Sequence, residues 1–139
     1  MPNWTYNTIN VRANNKQALT KFIKKYFVKD ENNELRFDFN KVIPQPKTKE
    51  ECPQEYICDC EEEHIEDTKG GNWFNWYKWN NQNWGTKWNA CDTRIDYQND
   101  NELEFSFDTA WCCPHPIFRL LKQQNPSLRL LFDWEDEGW

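Results

Sequence analysis

Apolar and polar residues alternate in several short segments of the chain, and a period of two is typical of half-buried strands. The clearest pair of segments flanks the turn sequence Asn-Asp-Asn at 99–101. This pair predicts a β-hairpin with one apolar face and one acidic face. The predicted strands are residues 4–11, 35–39, 93–97, 103–107 and 128–134.

Two other segments repeat apolar residues every three or four positions, as an amphipathic helix does. The first predicts a helix over residues 15–28, with lysines opposite its apolar stripe. That stripe consists of Leu19, Phe22, Ile23 and Tyr26. The second helix is predicted to begin near Pro116, because proline suits the first turn of a helix, and to stop at Asn125-Pro126.

The predicted order of elements is β–α–insertion–β–β–α–β, which is the order of a ferredoxin-like sandwich. We therefore predict an α+β fold in which two helices cover one face of an antiparallel sheet. A chain of 139 residues suits one domain, here residues 1–139, with an acidic and Trp-rich insertion at about 40–91. Long insertions in compact domains are often functional, so the insertion is where we expect function.

The tract at residues 72–91, NWFNWYKWNNQNWGTKWNAC, contains five of the nine tryptophans. Buried indoles need a partner for the N–H, so the tract is either a rigid plug for the core or an aromatic surface for a base, a sugar or a protein. Its spacing predicts a short helix over about 73–81. The tryptophans expected in the core are Trp84, Trp88 and Trp111. The residues expected at the rim of an interface are Lys78 and Trp79.

The net charge of −6 is unevenly distributed, since residues 50–67 hold nine acidic side chains and no lysine or arginine. Aromatic residues make up 17% of the chain and supply a core in spite of the polar composition. Acidity of this kind repels phosphate backbones and attracts basic protein surfaces. The acidic residues expected to contact a partner are Glu61, Glu62, Glu63, Glu66 and Asp67.

The same acidic segment holds cysteines and a histidine that together offer four zinc ligands. They are Cys52, Cys58, Cys60 and His64. Their spacing is not that of a standard zinc knuckle, so a structural zinc and free thiols both remain open. Apart from this candidate zinc, no cofactor is expected.

No catalytic motif is present, and we expect a protein that is not an enzyme. A thiolate activated by His64 or His115 is disfavoured, because neighbouring acids raise the pKa of a thiol. Asp92, Asp96, Glu104 and Asp108 offer carboxylates for a two-metal nuclease site. The solvent face of a hairpin explains Glu102 and Glu104 more simply, and Asp108 lies at a strand end where it can cap the following turn. The chain shows no signal peptide and no run of about 20 apolar residues, so a cytoplasmic location is expected.

Four short motifs resemble the YubB-type domain family of phage and plasmid proteins, in the order that the family has. They are MPNW at 1–4, FDFNKVIPQP at 37–46, NWGTKWNAC at 83–91 and FDTAWCCPHPIF at 107–118. The resemblance implies a mobile-element origin and a ferredoxin-like fold. It supplies no catalytic residue.

Together these observations predict a non-enzymatic protein-binding module of a phage or mobile element. Its acidic surface and aromatic anchors suit a basic, nucleic-acid-binding host defence protein, as in an anti-CRISPR. The alternative is a single-stranded nucleic-acid-binding module that stacks bases on its sheet. The aromatic candidates for that stacking are Trp4, Tyr6 and Tyr97.

Overall fold

A computed structural model describes residues 3–57 and 73–136 of the chain. These residues form six strands, three α-helices and two short 3-10 turns. The strands are β1 (Trp4–Arg12), β2 (Phe27–Lys29), β3 (Leu35–Phe37), β4 (Cys91–Gln98), β5 (Glu102–Ala110) and β6 (Arg129–Asp136). The helices are α1 (Lys16–Tyr26), α2 (Trp76–Asn83) and α3 (His115–Gln124).

Four strands form the main sheet in the order β4-β5-β1-β6, and every neighbouring pair is antiparallel. Taken in chain order, the four strands of this sheet are β1, β4, β5 and β6. The third of them, β5, lies between the first and the second, and the fourth, β6, lies beside the first. Such an arrangement is the split βαβ topology of the ferredoxin-like fold. The predicted α+β class and the predicted antiparallel sheet with two helices on one face are confirmed.

The core lies between one face of this sheet and helices α1 and α3. Ile9, Leu103 and Phe105 point to that side and are completely buried. The ring centroids of Phe22 of α1 and Phe105 of β5 lie 6.4 Å apart. Phe118 of α3 stacks on Phe132 of β6 at 4.6 Å. Aromatic rings thus carry much of the contact between the layers, as the composition predicts.

The ends of three predicted elements differ from their predicted positions. Helix α1 ends at Tyr26, not at residue 28, because Phe27 takes an extended backbone and pairs with Phe37 in a small second sheet of β2 and β3. Strand β3 ends at Phe37 because the Asp38 side chain caps the 3-10 turn Phe39–Lys41. Helix α2 begins at Trp76, since the Asn75 side chain caps it by accepting from the backbone N–H of Lys78 in its first turn.

The segment between α1 and β4 packs against the core at the β4 edge of the sheet. Phe37 contacts Phe105 and Phe107, both at 5.1 Å between ring centroids, and its backbone N–H donates to Thr93 of β4.

Of the helices that the structure describes, none is long and apolar enough to cross a membrane.

Candidate interaction surfaces

The face of the main sheet that lies opposite α1 and α3 carries mostly polar and charged side chains. Tyr6, Thr8 and Asn10 of β1 point to this side, and their pairing partners on β5 and β6 share it. We call this surface the open sheet face. Its acidic side chains are Glu102, Glu104, Asp108, Asp133 and Glu135, and its basic side chains are Arg12, Arg94 and Arg129.

Two ion pairs neutralise part of the charge on the open sheet face. Arg94 binds Asp108 at 3.0 Å and also donates to Ser106 at 3.1 Å. The hydrogen bond to Asp108 raises the pKa of Arg94, so the guanidinium stays charged at all ordinary pH values. Arg12 lies 3.6 Å from Glu102. Within residues 3–57 and 73–136, no ion pair engages the carboxylates of β6.

Large side chains are exposed among these charges. Tyr6 is 43% exposed and Tyr97 is 50% exposed, so two of the three aromatic candidates for stacking are accessible. Leu131 of β6, which faces Asn10 in the register, is 49% exposed. The open sheet face therefore combines accessible aromatic and apolar groups with a surplus of acid that attracts basic groups.

The prediction that Trp79 lies at an interface rim is wrong. Trp79 is 4% exposed, and its ring meets that of Trp84 edge to face at 5.3 Å. Helix α2 turns this side toward the core and exposes Tyr77 instead. Lys78 is half-buried: its Nζ donates to the Glu55 carbonyl at 3.3 Å and lies over the Tyr56 ring, which ties α2 to the second 3-10 turn, Gln54–Tyr56.

Of the three tryptophans expected in the core, only Trp84 is fully buried, at 2% exposure. Trp88 is half-buried and lies 6.1 Å from Trp4 between ring centroids. Trp111 is 51% exposed, so the prediction for it is wrong. It occupies the residue after β5, with a left-handed backbone (φ 74°) that directs the chain away from the sheet toward α3.

The acidic contact residues Glu61, Glu62, Glu63, Glu66 and Asp67 lie outside the described residues. So do Cys58, Cys60 and His64, three of the four candidate zinc ligands. The fourth, Cys52, is buried in the core. In the described part of the chain, no group of three or more histidine, cysteine or acidic side chains is placed to hold a metal ion.

A cleft of about 560 Å³ lies in the insertion, and sequence reasoning missed it. Its lining combines the polar side chains of Asp38, Asn40, Gln45, Asn80 and Asn89 with three tryptophans. Two of the motifs quoted above, at 37–46 and 83–91, meet at this cleft. Their density of asparagine and glutamine beside tryptophan was the signal available in the sequence.

Cys113 and His115 are in contact, and the distance between the Sγ and Nε2 atoms is 3.1 Å. Burial, and to a smaller extent the neighbouring Cys112 and Asp136, raises the pKa of the Cys113 thiol to about 11. The His115 ring packs edge to face on Trp134 at 5.1 Å. A thiol with this pKa stays protonated at neutral pH, which disfavours nucleophilic catalysis here.

This raised pKa predicts a loss of stability in alkali. The unfolded thiol ionises near its ordinary value of 9.0 while the folded thiol stays protonated up to about 11. The free energy of unfolding should therefore fall by about 2–3 kcal/mol as pH rises from 9 through 11. Urea unfolding at pH 8 and pH 11 tests this. Cys113→Ala should show a shallower fall than the original protein, and equal slopes would contradict the assignment.

Comparison with known families is consistent with this fold. Residues 83–139 match the model of a family described as a ferredoxin-like domain in Api92-like protein. The matched segment spans the second half of the Trp-rich tract and the elements β4, β5, α3 and β6. This part of the chain is thus similar to a ferredoxin-like family. Comparisons with curated proteins and with solved structures gave no match.

Proposed function

We propose that this protein is a non-enzymatic protein-binding module whose open sheet face occupies a basic surface on its partner. One observation carries the proposal: the exposed tyrosines of that face stand beside carboxylates. In the register, Tyr6 lies opposite Glu135 of β6, and Tyr97 lies opposite Glu104 of β5. Exposed aromatic rings bordered by acid suit a partner that presents arginine and lysine.

The partner class follows from what presents such a basic surface. Proteins that bind nucleic acid carry basic grooves, and an acidic face can occupy them in place of a phosphate backbone. The resemblance to YubB-type proteins of phages and plasmids supports a mobile-element origin. On that basis the proposed partner is a host defence protein that binds nucleic acid, and the proposed role is inhibition, as in an anti-CRISPR acting inside the host cell.

The exposure of Tyr6 and Tyr97 also favours a second candidate, a module that binds single-stranded nucleic acid by base stacking. The charge of the face opposes it, because a strand stacked on Tyr6 would bring its phosphates near Glu135, which forms no ion pair with a described residue. Repulsion between phosphate and carboxylate groups weakens such binding. Protein binding is therefore the leading proposal, and the two candidates respond oppositely to charge reversal.

Charge reversal on β6 is the test. Asp133→Lys combined with Glu135→Lys should weaken binding to a basic partner at least tenfold, because both carboxylates lie on the open sheet face without a described ion pair. The matched control is Glu31→Lys with Glu34→Lys, exposed positions near the β2–β3 turn, which should change binding less than about twofold. Glu61→Lys with Glu62→Lys and Glu63→Lys tests the acidic segment in the same way.

The measurement is binding of the full chain to purified CRISPR effector complexes, with and without competing DNA, at two salt concentrations. Binding that DNA displaces and that the β6 reversal abolishes supports the proposal. Failure to bind any basic effector, together with tight and salt-sensitive binding of a single-stranded oligonucleotide that the reversal strengthens, would establish the alternative.

A further inference from the structure

The cleft in the insertion has the construction of a small-molecule site. Its volume of about 560 Å³ falls within the range of ligand pockets, and its walls combine aromatic rings with polar side chains. Trp84 is nearly buried among the core rings and forms part of the lining, while Trp76 and Trp88 are half-buried. Base or ring stacking on such half-buried indoles is a common mode of ligand binding.

The polar wall is held in place before any ligand arrives. Asn89 donates to Asp38 at 2.8 Å and accepts from the Phe39 backbone at 2.9 Å. Gln45 donates to Asn80 at 2.7 Å, and Asn80 in turn donates to the Lys87 carbonyl at 2.9 Å. Because these amides are fixed by one another, their remaining groups are presented in a defined geometry.

Several polar groups of the lining are still available after this network is counted. Within the described residues, no hydrogen bond engages the second carboxylate oxygen of Asp38, the side-chain N–H₂ of Asn40 or the side-chain oxygen of Gln45. The indole N–H of Trp76 is buried without an acceptor in the part of the chain that the structure describes. Unpaired buried donors are rare in native proteins, so the signal of this N–H group is a sensitive probe of any change at the cleft.

The charge of the cleft differs from that of the rest of the protein. Its charged lining residues are Asp38, Lys41 and Lys47, so the lining is basic by one charge in a chain whose net charge is −6. Both lysines are exposed, and neither forms an ion pair with another described residue. The Glu51 carboxylate accepts hydrogen bonds from the backbone N–H groups of Lys47 and Thr48 and offsets part of this charge. An anionic ligand would therefore be bound directly by the two lysine ammonium groups.

We propose that this cleft binds a nucleotide. The base packs against Trp76 and Trp88, its edge pairs with the mixed donors and acceptors of Asn40 and Gln45, and the phosphate is held by Lys41 and Lys47. The ligand is either a free mononucleotide or the phosphorylated end of a single strand, since both present the same base and phosphate. The cleft is lined by residues other than those of the open sheet face, and neither proposal depends on the other.

The test is a titration of the purified full chain with adenosine 5′-monophosphate, with uridine 5′-monophosphate and with adenosine. Binding is followed by tryptophan fluorescence and by the NMR signal of the Trp76 indole N–H, which is assigned by its loss in Trp76→Phe. We expect saturable binding of the monophosphates with a dissociation constant below about 1 mM, and a shift of that signal.

The lysine variants decide the assignment of the phosphate. Lys41→Ala with Lys47→Ala should weaken monophosphate binding about tenfold or more. The matched control, Lys16→Ala with Lys21→Ala, removes the same charge from the exposed side of α1 and should change binding less than about twofold. Both pairs are exposed, so both variants should keep the native circular dichroism spectrum.

A 5′-phosphorylated oligothymidylate separates the two sources of the ligand. If this oligonucleotide binds more tightly than uridine 5′-monophosphate, and its binding depends on Lys41 and Lys47 in the same way, the ligand is a strand end. Equal or weaker binding identifies the free nucleotide. The proposal is overturned if neither probe saturates by about 10 mM, if adenosine binds as tightly as its monophosphate, or if the lysine variant binds normally.

Discussion

Trp84→Ala is expected to lower the free energy of unfolding by about 3–5 kcal/mol, the usual cost of removing a buried aromatic side chain. Trp84 is 2% exposed, and its ring meets Phe39 and Trp79 edge to face at 5.5 and 5.3 Å. The indole N–H donates to the Ile43 carbonyl at 2.9 Å. A loss of this size is a large part of the total stability of a typical domain.

Urea unfolding followed by circular dichroism measures this effect. Trp84→Phe keeps an aromatic ring but leaves the Ile43 carbonyl without its donor, so it should cost about 1–3 kcal/mol. The control is Tyr77→Ala in the same Trp-rich tract, which removes a side chain that is 56% exposed and should cost less than about 1 kcal/mol. If Trp84→Ala costs no more than Tyr77→Ala, the tract does not form part of the core.

Gly85→Ala is expected to cost about 2–5 kcal/mol for two separate reasons. Gly85 has φ +80°, a left-handed backbone that strains any residue with a side chain. A Cβ added there would also lie 2.6 Å from Cδ of Pro116, and a proline ring in the first turn of α3 cannot rotate away. Thermal and urea unfolding of the variant test the sum of the two effects.

A double-mutant cycle separates the backbone strain from the steric contact. Pro116→Ala removes the ring atoms that the new Cβ would meet, so Gly85→Ala should be less costly in that background by about 1–3 kcal/mol. The free-energy cost of Gly85→Ala that remains in the Pro116→Ala background measures the strain of the positive φ. Additive costs would mean that Pro116 does not limit the space beside Gly85.

The sheet of this fold was predictable because each strand carries its burial pattern locally. Ile9 and Val11 on β1, and Leu103 and Phe105 on β5, alternate with polar residues, and all four are completely buried. A period of two permits only one face to point inward, so the alternation alone orients the strand. The element order then leaves the ferredoxin-like topology as the arrangement of the hairpin and the two helices.

The orientation of individual tryptophans was not predictable, since it depends on residues far away in the chain. Trp79 and Tyr77 are neighbours on one short helix, yet one is buried and the other exposed. The direction of α2 decides this, and α2 is held partly by the 3-10 turn Gln54–Tyr56, more than 20 positions earlier. Trp111 is predicted in the core, whereas its side chain is 51% exposed at a position where the backbone has a positive φ.

The cleft was hidden from sequence reasoning for a related reason. Its polar wall joins residues 38–45 to residues 80–89, and the hydrogen bond between Gln45 and Asn80 spans 35 positions. No local period marks such a pairing, because each amide is satisfied by a partner that only the folded chain supplies. The repeated Asn and Gln beside Trp indicated polar chemistry there but not its geometry.

The two outer strands of the main sheet bear on self-association. In an open sheet, an outermost strand exposes unpaired backbone groups to which another copy of the protein can add a strand. Strand β4 is irregular between Cys91 and Arg94 and again between Ile95 and Tyr97, and such bulges spoil a flat edge. Strand β6 instead carries Asp133 and Glu135, which repel a second β6. Both outer strands of the sheet thus discourage association with a second copy of the protein through their edges.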